Sequence, residues 1–126
     1  MKTDRQIYSE KAREFRSLCR SYTAQKKWLY TLQKRRTAHV NEGMGKDPEQ
    51  DQMLRRMETQ IRLLQDALVR TEEILEEIEA RFGEEAADMI WEIYIGKGSL
   101  QEAAEQQGIS VRTLQRRIRA WLEEIL

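Results

Sequence analysis

The last 18 residues of the chain carry side chains suited to hydrogen bonding with nucleic-acid bases. Arg112, Gln115 and Arg116 lie within five positions of one another. An arginine can donate two hydrogen bonds to the major-groove edge of guanine, and a glutamine can pair in a similar way with adenine. We therefore expect these three residues to contact bases. The residues expected to lie nearer to phosphates are Thr113, Arg117, Arg119 and Lys97.

The sequence around these residues predicts two short helices joined by a turn. Ser99 is followed three positions later by Glu102, the pattern of a capping box at the start of a helix over 100–107. Gly108 suits a turn that needs a left-handed backbone, and Ser110 can cap the next helix. That helix, about 110–125, has apolar residues at spacings of three and four. This buried stripe consists of Leu114, Ile118, Trp121, Leu122 and Ile125.

A third helix is predicted directly before this pair. Gly83 ends the preceding segment, and residues 84–95 begin with acidic side chains, which favour the first turn of a helix. Their apolar set is too broad for a helix surrounded by solvent, so we expect it to supply core for the two helices after it. The set consists of Met89, Ile90, Trp91, Ile93, Tyr94 and Ile95. Residues 84–126 are thus predicted to form a three-helix helix-turn-helix module.

Two long helices are predicted over residues 1–83. Apolar residues recur every seven positions from Tyr8 to Leu29 and again from Leu54 to Phe82, the repeat of a coiled-coil seam. The break between them is 41–46, and Asp47 followed by Pro48 is typical of a helix start. We expect an all-α fold in which an antiparallel helical hairpin, or coiled-coil arm, precedes the module. The seam fits equally a hairpin closed within one chain and a coil between two chains.

Charge is distributed unevenly although the net charge is zero. Residues 1–40 carry 11 basic and 3 acidic side chains, whereas residues 41–108 carry 7 basic and 17 acidic ones. A basic first helix can therefore lie beside an acidic second one. This pairing is favoured over nucleic-acid contact for the basic residues of the first helix. Those residues are Lys26, Lys27, Lys34, Arg35 and Arg36.

The residue types argue against several classes of protein. Cys19 is the only cysteine and His39 the only histidine, so we expect no disulfide within the chain, no metal site and no catalytic residues. Nothing suggests a cofactor. A single cysteine indicates a reducing, cytoplasmic location, and no apolar run is long enough for a membrane span.

The C-terminal third resembles a known family. The run Y-I-G-K-G-S-L-Q-E-A-A-E-Q-Q-G-I-S-V-R-T-L-Q-R-R-I-R-A-W-L, residues 94–122, is similar to the fourth region of bacterial sigma factors, which reads the upstream promoter element. The resemblance covers about residues 84–126. The layout also resembles small sigma-like regulators carried by phages and prophages. The resemblance implies binding to double-stranded DNA and raises contact with RNA polymerase as a further expectation. No segment resembles the sigma regions that melt the promoter, and Trp121 stands where that family usually has a small residue.

Three functions are compatible with the sequence. The first is a sequence-specific DNA-binding transcription regulator, with a homodimer formed through the long helices. The second is a helical adaptor whose C-terminal module binds a protein. The third is a DNA-recognition subunit of a phage packaging complex, because such subunits also combine coiled segments with a helix-turn-helix.

Overall fold

Five α-helices account for nearly all of the computed structural model, which describes residues 1–43 and 47–126. No strand occurs in those two ranges, so the predicted all-α class is confirmed. No helix in the described ranges is long and apolar enough to cross a bilayer. The helices are α1 (Asp4–Asn41), α2 (Pro48–Phe82), α3 (Glu84–Tyr94), α4 (Leu100–Gln107) and α5 (Val111–Ile125).

The long helices begin at side chains that satisfy free backbone donors. Thr3 and Gln6 form a reciprocal capping box, in which the Gln6 amide donates to Thr3 Oγ1 at 3.2 Å and the Thr3 amide donates to Gln6 Oε1 at 2.8 Å. Asp47 caps α2 as predicted, because its Oδ1 accepts from the Gln50 amide at 2.9 Å. The predicted break over 41–46 lies partly outside the described residues, which omit 44–46.

The described residues divide into two compact units. One comprises Met1–Arg20 together with Thr71–Leu126, and the other comprises Ser21–Arg70. The first unit therefore contains the whole predicted module, 84–126, together with the first part of α1 and the last part of α2.

The core of the first unit draws on all five helices. Phe15 of α1 and Ile78 of α2 are almost completely buried, at 1% and 0% exposure, in the same apolar cluster as Leu114 of α5. The Phe15 ring also lies 5.9 Å from that of Tyr94, centroid to centroid. Cys19 belongs to this cluster, and burial raises the pKa of its thiol to about 12. The first unit thus cannot bury its core without the long helices.

The second unit buries only part of the predicted seam. Tyr22 and Leu32 are buried on α1, and Met57, Ile61 and Leu68 are buried on α2. Leu29, Leu54 and Leu64 of the same two helices are partly exposed.

One member of the apolar set predicted on α3 departs from the expected burial. Ile90 is fully buried, whereas Trp91 remains 38% exposed. The two residues are neighbours, about 100° apart around the helix, and of the two only Ile90 belongs to the apolar cluster. The prediction that Trp91 belongs to the core was therefore wrong in this detail.

Candidate nucleic-acid interface

The turn between α4 and α5 has the geometry predicted from its residue types. Ser99 Oγ accepts a hydrogen bond from the Glu102 amide at 3.1 Å and so caps α4. Gly108 has φ 66° and ψ 31°, a left-handed conformation that costs glycine little. The next amide, of Ile109, donates to the Ala104 carbonyl at 3.0 Å, and the Ile109 side chain packs against the core. These contacts hold the start of α5 in one orientation.

The N-terminus of α5 is capped by Ser110. Its Oγ accepts from the Thr113 amide at 3.1 Å and also bonds the Thr113 hydroxyl at 2.9 Å. The side chain of Thr113 is half-buried and engaged in this cap. Thr113 therefore supports the helix start rather than standing free beside the arginines.

Replacing Ser110 with alanine is expected to lower the free energy of unfolding by about 1 kcal/mol, because the Thr113 amide loses its capping partner. The measurement is a urea titration followed by circular dichroism at 222 nm. Ser17→Ala serves as the matched control, since Ser17 is exposed inside α1 and alanine there should be neutral or slightly stabilising. Equal effects of the two substitutions would show that the Ser110 cap contributes nothing to stability.

The α5 helix separates apolar from polar residues cleanly. Leu114, Ile118 and Leu122 are buried at 0–3% exposure and form the predicted stripe. Trp121 is half-buried, and its ring lies 6.0 Å from that of Phe82, so it packs against the end of α2. The exposed side of α5 carries Arg112, Gln115, Arg116, Arg117 and Arg119.

Three of these arginines are available for an external partner. Arg112, Arg116 and Arg117 are exposed, and none makes a hydrogen bond or ion pair within residues 1–43 and 47–126. Arg112 and Arg116 are four residues apart, so they lie one above the other on the same face, about 6 Å apart along the axis. Lys97 is also exposed, in the turn between α3 and α4.

Arg119 differs from the other arginines because it is already engaged. Its Nε donates to Glu123 Oε1 at 2.9 Å, and its guanidinium lies 5.6 Å from the centroid of the Tyr8 ring. The bond to Glu123 raises the pKa of Arg119, and burial followed by the Glu123 charge raises the pKa of Tyr8. Arg119 therefore links α5 to α1, a contact that the sequence reasoning missed.

The first turns of α1 lie along one side of α5. Lys11 Nζ donates to the Leu126 carbonyl at 2.7 Å, and an open groove of about 520 Å³ runs between the two helices. Arg13 and Arg16 of α1 line this groove opposite Gln115. The sequence showed that residues 1–40 are basic, but it did not indicate which of these basic residues would lie beside α5.

No protein-family model, curated protein or solved structure matches the chain. The resemblance to the fourth region of sigma factors therefore rests on the sequence of about residues 84–126, and the functions that it implies remain predictions. Within the described ranges, no group of three or more His, Cys, Asp or Glu side chains is placed to hold a metal ion.

Proposed function

We propose that this protein binds double-stranded DNA with sequence specificity and regulates transcription, with α5 inserted into the major groove. The observation that carries the proposal is the exposed pair Arg112 and Arg116, which have no partner within the described residues and lie opposite the buried stripe of α5. Their separation of about 6 Å along the axis approaches two base-pair steps of about 3.4 Å each. Two arginines at this spacing can each address a guanine.

The helix-turn-helix geometry supports the same use of α5. The recognition helix of such motifs contacts base edges through its N-terminal turns. Arg112, Gln115 and Arg116 occupy the first two turns of α5, behind the Ser110 cap. In this proposal Arg117 and Lys97 contact phosphates, while Arg119 contributes positive charge from its position beside Tyr8.

The long helices would serve as an arm for assembly. We propose that α1 and α2 form an antiparallel hairpin that supports a homodimer, because a single small module buries little surface on DNA. Contact with RNA polymerase through the same arm is the extension that the sigma-like residues suggest.

Selection of binding sites from random duplex DNA, followed by mobility-shift titrations, tests the proposal. We expect one enriched sequence and an affinity that falls as salt rises, since bound phosphates release counterions. The two phosphate contacts proposed for Arg117 and Lys97 alone predict a loss of about 12-fold between 50 and 200 mM salt. A folded protein that selects no sequence and is not retained on duplex DNA at 50 mM salt would instead support the adaptor hypothesis.

A further inference from the structure

An open groove between the first turns of α1 and one side of α5 is lined by basic side chains and by no acidic ones among the described residues. Its polar lining includes Ser9, Arg13 and Arg16 from α1, and Gln115 and Arg119 from α5. Arg13, Arg16 and Gln115 are all exposed and make no hydrogen bond or ion pair within the part of the chain that the structure describes. Three guanidinium groups thus line a groove that has no carboxylate among the described residues of its wall.

Acidic side chains line the neighbouring cavities. Glu10 borders one of them together with Arg13 and is paired with Lys2 at 2.8 Å. Asp4 and Glu123 line a separate pocket together with Arg5 and Arg119, toward the C-terminus of α5. Tyr94 and Leu100 also line the groove. These two residues flank the turn that carries Lys97. The described lining of the groove thus carries arginines and no carboxylate, and it includes Gln115 from the proposed base-reading part of α5.

We propose that Arg13 and Arg16 bind the phosphate backbone of the duplex whose major groove receives α5. This inference rests on the proposed function and deepens it, because it adds a second helix to the DNA interface. The axes of two packed helices are about 8–10 Å apart, and the major groove of B-form DNA is about 12 Å wide. A helix beside the recognition helix consequently meets the strand that borders the groove.

The position of Gln115 supports this arrangement. At about 100° per residue, Gln115 lies about 60° around α5 from Arg112, between the open face and the groove. Gln115 thus stands where the base-contacting side of α5 passes into the side flanked by α1. Phosphate contacts made by α1 would fix the register of α5 on the DNA without reading sequence themselves.

The test compares the full-length double variant Arg13→Ala/Arg16→Ala with the wild-type protein on the selected site and on an unrelated duplex. We expect affinity for both duplexes to fall by the same factor, with the preference between them retained. Losing two phosphate contacts should make the slope of log affinity against log salt shallower by about 1.8. The affinity gap to the wild type should then shrink about 12-fold between 50 and 200 mM salt.

Two further variants make the result specific. Arg56→Ala/Arg62→Ala removes the same charge from exposed positions of α2 in the other unit and should leave the salt slope unchanged. Arg13→Lys/Arg16→Lys keeps the charge and should restore most of the slope, which separates charge from any effect of alanine on folding.

The inference and the proposed function can fail separately. A wild-type salt slope and affinity for Arg13→Ala/Arg16→Ala, alongside lost preference in an Arg112/Arg116 variant, would overturn the role of α1 and leave DNA reading by α5 intact. Failure of the wild-type protein to bind any duplex would overturn both.

Discussion

Replacing both Arg112 and Arg116 with alanine is expected to abolish discrimination between the selected DNA site and an unrelated duplex. Both side chains are exposed on one face of α5 and have no partner among the described residues, so their removal should leave the fold intact. Each paired contact with a guanine contributes about 1–3 kcal/mol of discrimination. The ratio of the two dissociation constants, measured at one salt concentration, should therefore fall at least about 30-fold.

A charge-preserving variant provides the control for this result. Arg112→Lys/Arg116→Lys keeps the positive charge but loses the planar fork that makes two parallel hydrogen bonds. We expect it to bind the unrelated duplex like the wild type while losing most of its preference for the selected site. An unchanged ratio in the alanine variant would contradict base reading by these two arginines.

The second large effect concerns Phe15 of α1, which is expected to stabilise the core that it shares with α3, α4 and α5. Phe15 lies on α1, yet it is 1% exposed in the same core cluster as Leu114, Ile118 and Leu122. Truncating a buried phenylalanine to alanine removes apolar contacts and leaves a cavity, at a cost of about 3–5 kcal/mol. The free energy of unfolding of Phe15→Ala should fall by that amount in a urea titration monitored at 222 nm.

Trp28→Ala is the matched control for Phe15→Ala. Both substitutions remove an aromatic ring from α1, but Trp28 is 42% exposed and lies in the other unit, with Arg35 5.4 Å from its ring centroid. We expect a loss of less than about 1 kcal/mol at this site. Similar losses in the two variants would mean that the burial of Phe15 does not stabilise the module.

The helix boundaries and caps could be predicted closely because they depend on near neighbours. The predicted range of α4 agrees with the structure, α2 begins at Pro48 and ends just before Gly83 as predicted, and α3 and α5 differ by one residue at an end. The hydrogen bonds from Ser99 and Ser110 span three residues, and the left-handed turn at Gly108 involves a single φ angle. Interactions between residues so close in the sequence can be predicted from residue type and spacing.

The candidate site was predictable in part. A period of about 3.6 residues distinguishes the face with Leu114 and Ile118 from the face with Arg112 and Arg116, so exposure along α5 could be read from spacing alone. Spacing could not reveal that Arg119 is held by Glu123 against Tyr8. It also gave no sign that Thr113 completes a cap.

Contacts between residues that are far apart in the sequence could be identified only from the tertiary structure. Lys11 bonds the carbonyl of Leu126, and Phe15 contacts Tyr94, over separations for which no periodicity rule exists. The pattern of apolar residues predicts that a helix face will be buried but not which helix will cover it. The hydrophobic effect depends on the apolar area removed from water, and several helices could cover the same area. The chain thus encodes locally a capped helix with a basic face. Packing against the beginning of α1 then determines which neighbours border that face and which of its arginines remain free.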